Sequence, residues 1–439
     1  PNLYEGVIAH EFQHLIHEDL DSDEETWLNE GMSDLAEYLV GYGHPEGHVQ
    51  FYLQHPENSL TSWEDQGDLE ILADYGNAYL FQLYLLEQFG PGFIQKLASS
   101  TLNGVESVEA TLAEAGSARD FAAVYRDRSV ALVIDSAFPG DGAYQFKTID
   151  LAVDVARAAA YDDPGAPPWG TDYLALETGG DRVNQVAFNG ADVMAGADWR
   201  AVQDPLGQRG TVLWGAEGNL VDNFMARRLD LTAVSSATLE FWTYYAIEEA
   251  WDYGFVQVST DNGQTWTSLA NQDTTDILDP HAHPKVVANV PGFTGYSGGW
   301  VHEVFDLTPY AGKEILLNFR YVTDWAYVDP GWYVDDIAVP EIGFVAGGES
   351  PEGFMGRAET LGLDNDFQVA FVARFDSAPE TARFRVRFMD PDDATEEDVM
   401  GVLNLLNSAD EVVMTVTFAA PPEITGTGDY VYELRKRGR

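Results

Sequence analysis

AHEFQHLIHEDLDSDEETWLNEGMSDLAEYLV, residues 9–40, is the stretch on which the reading of this chain turns. His10 and His14 stand four residues apart, so on a helix both imidazoles project from one face and can reach a single metal ion. Glu11 points just beside them. A catalytic zinc takes three protein ligands and keeps a fourth position open, so the pair needs another donor. Glu30 is the best candidate. Asp34 falls one helical turn later on the same face, where its carboxylate would accept the other ring N–H of His10, fixing the tautomer and raising the basicity of that ligand. With zinc in place, Glu11 would take the proton of the attacking water and deliver it to a leaving amine.

Outward from this stretch, Trp27, Leu28, Met32, Leu35, Ala36 and Leu39 recur at helical spacing, and so do the apolar residues of 79–89. The chain from 3 to about 123 is therefore predicted to be mostly helix. The second helix is expected to start at Ser22 or Asp23 as N-cap and to stop before Gly41. Beyond Pro139, short Val, Tyr, Phe, Trp and Thr runs broken by Gly, Pro, Asn and Asp predict an all-β sandwich or jelly roll, with strands at 239–245, 254–259, 412–418 and 430–434. Ser259 to Trp266 reads as a tight hairpin turn in which Asp261 caps backbone N–H groups and Trp266 packs below.

The expected class is multidomain α+β. Residues 1–140 form a mainly helical part, 141–205 a linker and β segment, 206–341 a jelly roll and 342–439 a C-terminal β segment. The pieces 170–204 and 343–439 are expected to pair into one sandwich interrupted by the jelly roll.

The formal charge of −50, from 73 acidic against 23 basic residues, excludes nucleic acid and anionic membranes as partners, because their phosphates would be repelled. Lys96, Lys147, Lys285, Lys313 and Lys436 are the only lysines, and such a surface suits a salty or extracellular medium. With no cysteine, any metal must be held by His, Asp, Glu or backbone oxygens. No run of 18 apolar residues exists to span a membrane. The chain opens at Pro1, almost inside the helix carrying the motif, so further sequence, with a signal and a propeptide, is expected upstream.

The pairing of His10-Glu11-Phe12-Gln13-His14 with Asn29-Glu30-Gly31-Met32-Ser33-Asp34 resembles the thermolysin-like branch of zinc peptidases, the gluzincins, whose pattern is HExxH followed by NExxSD. That resemblance implies zinc held by His10, His14 and Glu30, with Asp34 supporting His10. The wording of both segments is similar to the hyicolysin-like bacterial neutral metallopeptidases. The metzincin pattern is disfavoured, since His17 and Leu20 stand where it needs a glycine and a third histidine. His17 is expected at the surface. An oxyanion donor is also needed, and Tyr75 is chosen for it. Tyr75 is expected just before an amphipathic helix, in a segment similar to the tyrosine segment of aminopeptidase N-like gluzincins. Tyr79 is the competing candidate, although Tyr79, Phe81 and Tyr84 read better as a core stripe. His44, His48 and His55 could line the cleft, but each read alone is expected to be structural or solvent-facing.

Segments around Trp251, Trp300, Asp324 and Trp332 to Ile337 resemble the MAM-like jelly roll of immune inhibitor A-type secreted proteases over 206–341. This implies a non-catalytic β module that assists binding to a substrate or surface, glycans included. Similar jelly rolls hold calcium, for which Glu217, Asp222, Asp335 and Asp336 are the expected ligands. The expected function is a secreted zinc metalloendopeptidase acting on protein or peptide substrates. The alternative is a β-domain binding or adhesion protein carrying an inactive zinc-peptidase fold.

Overall fold

Among the residues that the computed structural model describes (3–63, 71–153, 155, 165–176, 182–190, 196–218, 221–324, 327, 329–361, 367–391, 393–421, 428 and 430–436), seven helices precede the first strand. They are α1 (Leu3–Leu20), α2 (Thr26–Leu39), α3 (Glu46–Tyr52), α4 (Ile71–Phe89), α5 (Pro91–Leu97), α6 (Gly104–Glu114) and α7 (Phe121–Ile134). The second helix begins at Thr26, later than its Ser22 or Asp23 signal suggested. Glu24 Oε1 accepts both the Glu25 and the Gly104 N–H at 2.7 Å, which holds the preceding loop out of the helix and against the start of α6.

The apolar stripe of α2 buries Trp27, Leu28, Met32 and Leu35, and the Trp27 ring meets Phe81 edge-on. Gly31 lets α2 come against α4, since a Cβ there would stand 2.8 Å from the Ala78 carbonyl oxygen. The helix α4 buries every residue from Gly76 to Leu85, as expected of one covered on all sides.

The chain divides into two compact units, one of residues up to 191 and from 365 onward, the other of 192–364. The division does not coincide with the boundary expected at 140. In the first unit, an antiparallel sheet runs in the order Thr171–Ala175, Glu411–Phe418, Phe367–Arg374 and Phe384–Met389, and Val183–Gly190 pairs with Tyr430–Lys436. Tyr173, Ala370, Val372 and Val413 of that sheet share one apolar core with Tyr79, Leu83, Tyr125 and Leu132. The physical reason is α7, which buries Val124, Tyr125, Val130, Ala131 and Leu132 and so needs cover on more than its helical side. Trp169 fastens the join, its Nε1 donating to the Ala420 carbonyl at 2.8 Å and its own carbonyl accepting from the Tyr125 hydroxyl.

In the second unit, one antiparallel sheet runs Val301–Asp306, Thr238–Ile247, Gly331–Val339, Thr211–Trp214, Arg200–Gln203, with Phe344–Ala346 and Gly295–Tyr296 paired at its flanks. The other runs Asp222–Asp230, Glu314–Val322, Tyr253–Ser259, Thr267–Ser268. Trp199, Phe241, Phe305, Phe319 and Trp332 form the common core of both sheets. Asp261 caps the hairpin turn by accepting from the Thr265 N–H at 2.9 Å, and Trp266 packs edge-on against Phe224.

Candidate metal centre

Helices α1 and α2 lie against each other, with His10, His14 and Glu30 half-buried where they meet. Glu30 Oε2 stands 3.1 Å from His10 Nε2 and 3.3 Å from His14 Nε2. Bonds of about 2.0–2.1 Å from zinc at tetrahedral angles put ligand atoms roughly 3.3 Å apart, so Glu30 stands from each imidazole at the spacing of two ligands on one zinc ion, and the three donor atoms lie within 4.8 Å of one another. Asp34, fully buried, accepts from His10 Nδ1 at 3.0 Å through Oδ1, which leaves His10 Nε2 as the metal-facing nitrogen. His14 Nδ1 is held in the same way by Asn29 Oδ1 at 2.8 Å. Ser33 Oγ lies 3.1 Å from that nitrogen and donates to Gln13 Oε1 at 2.7 Å. Glu11 is exposed on α1 next to His10.

The electrostatics follow from this packing. Burial works against a charge on His10, but the Asp34 and Glu30 carboxylates outweigh it and push the imidazole up to about 10. Burial would likewise raise Glu30, yet hydrogen bonds from His10 and His14 hold it down to about 2. The Glu30 hydrogen bond also raises His14. The donor set carries two imidazoles and one ionised carboxylate, which is the chemistry of a His₂Glu zinc site.

Tyr75 sits inside α4 and not before it, because helical hydrogen bonding already begins at Ile71. Its ring lies 6.1 Å from that of His10, centroid to centroid, stacks on His48 at 4.9 Å and meets Trp63 edge-on at 5.0 Å. Burial, then the Glu30 and Asp34 charges, raise its phenol well above the ordinary range, so it stays protonated at neutral pH. Tyr79 is fully buried and its hydroxyl is 2.5 Å from His44 Nδ1; Phe81 and Tyr84 are core residues. His17 is a correction: it is 1% exposed, because the start of α2 closes over the end of α1.

Four partners of the site had no role assigned from the sequence, although His48 was named there among the histidines that could line the cleft. Asn29 and Ser33, four residues apart on the face of Glu30, carried a helical-spacing signal that could have found them. Gln13 and His48 carried none. His48 Nδ1 donates to Asp34 Oδ2 at 2.6 Å.

The expected calcium ligands are not drawn together. Asp222 accepts from Arg320 Nε at 2.7 Å and also binds Arg357, Asp335 accepts from Arg209 Nε at 2.6 Å, and Asp336 binds the same guanidinium. Glu217 is exposed. Arginines thus pair with three of these four carboxylates. Among the described residues of the β unit, Glu248, Asp252 and Asp324 are the acids that converge, with ligand oxygens within 4.8 Å of one another. Burial pushes Asp252 up to about 8.

No helix among the described residues is long and apolar enough to cross a membrane. Residues 205–359 match the family described as Immune inhibitor A-like, MAM domain. The pre-pro-metalloprotease PrtV of Vibrio cholerae serotype O1 (strain M66-2) is 38% identical over 120 residues, 27% of this chain and 12% of that protein. Immune inhibitor A of Bacillus thuringiensis subsp. alesti is 27% identical over 124 residues, 28% of this chain and 16% of that protein. Bacillopeptidase F of Bacillus subtilis (strain 168) is 25% identical over 133 residues, 30% of this chain and 8% of that protein. The chain thus spans a small part of each relative's length. Its similarity to these proteins, of which PrtV is named a metalloprotease, resides in the β unit, over the stretch that matches the Immune inhibitor A-like MAM domain.

Proposed function

We propose that this chain is the zinc-binding part of a secreted metalloendopeptidase, with His10, His14 and Glu30 as metal ligands, Glu11 as general base and Tyr75 as hydrogen-bond donor to the developing oxyanion. The observation that carries this reading is the convergence of His10 Nε2 and His14 Nε2 on Glu30 Oε2 at 3.1 and 3.3 Å. Zinc held by these donors would supply Lewis-acid polarisation of a peptide carbonyl and of water. Asp34 and Asn29 keep both Nδ1–H groups occupied, which fixes the orientation of the imidazoles. Glu11, exposed beside His10, accepts the proton of the attacking water and returns it to the leaving amine. Tyr75 remains a neutral O–H donor because burial and the nearby carboxylates oppose its ionisation. The substrates are proteins or peptides, in keeping with the metalloprotease-family relatives of the β unit. For that unit we propose a non-catalytic role in binding a substrate or surface.

The test is metal content. Purified protein equilibrated with zinc at neutral pH is expected to hold about one ion per chain, lost in His10→Ala and in Glu30→Ala. Glu11→Gln is expected to keep the zinc while casein cleavage drops roughly 10²- to 10⁴-fold. A zinc-free wild type overturns the assignment, and a fully active Glu11→Gln removes Glu11 from the base role.

A further inference from the structure

Asp34 is completely buried, and its two carboxylate oxygens are taken by two different imidazoles: Oδ1 by His10 Nδ1 at 3.0 Å, Oδ2 by His48 Nδ1 at 2.6 Å. A buried carboxylate that lost one of these donors would carry an uncompensated lone-pair side, with freedom to rotate toward other donors. His48 lies on α3, a helix that carries none of the motif residues, and its ring stacks on Tyr75 of α4 at 4.9 Å with the planes 30° apart. The same imidazole therefore touches the residue that aims His10 and the tyrosine next to His10.

The fold makes this placement specific. At Gly76, adjacent to Tyr75, an added Cβ would come 2.2 Å from the His48 carbonyl oxygen and 2.7 Å from Tyr52 Cβ, so α3 and α4 meet backbone to backbone where His48 and Tyr75 stack. Gly41 and Gly43, both at φ +95°, occupy the turn that returns the chain from α2 into α3.

We propose that His48 is a positioning residue of the metal centre: through Nδ1 it locks the Asp34 carboxylate that orients His10, and through its ring face it holds Tyr75. This rests on reading His10, His14 and Glu30 as the zinc ligands. The two roles use different parts of one side chain, so two substitutions separate them. His48→Asn places an amide N–H where Nδ1 stood but has no ring; His48→Phe keeps a ring on Tyr75 but has no donor.

Zinc affinity is measured by chelator competition, and peptide cleavage is measured at saturating zinc. For His48→Phe, affinity is expected to fall about tenfold, the lower end for groups that orient a ligand through hydrogen bonds, with kcat nearly retained once zinc is saturating. For His48→Asn, affinity is expected to stay within about twofold of wild type while kcat falls roughly three- to tenfold, the worth of one aromatic contact, at unchanged KM. Equal zinc affinity in wild type and both variants overturns the proposal while leaving the zinc assignment intact. Equal losses of affinity and kcat in both variants, tracking a lowered melting temperature, reduce His48 to a packing residue and also overturn it. A wild type that binds no zinc removes the proposed function and this role together.

Discussion

At the scale of single residues, the proposed zinc site sets proton and metal in competition for the same nitrogens. Without metal, the Asp34 and Glu30 carboxylates hold His10 up to about 10, against an ordinary value of 6.5. A raised histidine contributes stability that is full below about pH 6.5 and is lost as pH rises through about 10. Zinc must displace that proton from Nε2. Its affinity is therefore expected to climb by at least about tenfold per pH unit from pH 7 upward, one decade for the His10 proton and more where the raised His14 is still protonated, as read by chelator competition between pH 7 and 9. A flat profile would mean that His10 is already neutral in the metal-free protein. The lowered Glu30 adds no slope in this window, since it is ionised throughout.

Among elements, the decisive feature is how closely α2, α3 and α4 approach. Arg128 of α7 ties two of them, its buried guanidinium donating to the Tyr52 hydroxyl at 3.0 Å and to Asn77 Oδ1 at 2.6 Å. Gly76 sets the α3–α4 distance. On helix propensity alone, Gly76→Ala should stabilise α4 by about 1 kcal/mol. The overlap with the His48 carbonyl cannot be relieved by a rotamer change, and overpacking of this kind costs about 1–3 kcal/mol. The net expectation is a lower melting temperature, with weakened zinc binding because α3 carries His48 away from Asp34. A variant more stable than wild type by calorimetry would show that the two backbones are not in contact at Gly76.

For the molecule as a whole, the first unit is completed by strands that follow the second unit in sequence. Phe367–Arg374 and Glu411–Phe418 supply Ala370, Val372 and Val413 to the core that also contains Tyr79 and Tyr125. A chain ending at residue 364 would expose that core. It is expected to be protease-sensitive in its helical part and to lose zinc binding, although every ligand is present. Residues 192–364, with two sheets around their own core, are expected to unfold cooperatively when produced alone. A protease-resistant, zinc-competent 1–364 fragment would contradict the shared core.

The sequence by itself determined what depends on local periodicity. Four-residue spacing put His10 with His14 and Glu30 with Asp34 on single helix faces, and β-branched and aromatic runs bounded by turn residues located the strands at Thr238–Ile247, Tyr253–Ser259, Glu411–Phe418 and Tyr430–Lys436. Tertiary structure decided what depends on which of many equivalent groups meet. With 73 acidic residues, spacing could not tell that Asp222 and Asp335 would be taken by Arg320 and Arg209, or that Glu248, Asp252 and Asp324 would converge instead. It could not tell that His17 would be buried or that His48 would reach Asp34, since both depend on how helices pack. The sequence did suggest that the pieces 170–204 and 343–439 pair with each other, but not that their sheet joins the core of the helical part, which follows from the shared need of α7 and the sheet to bury their apolar faces.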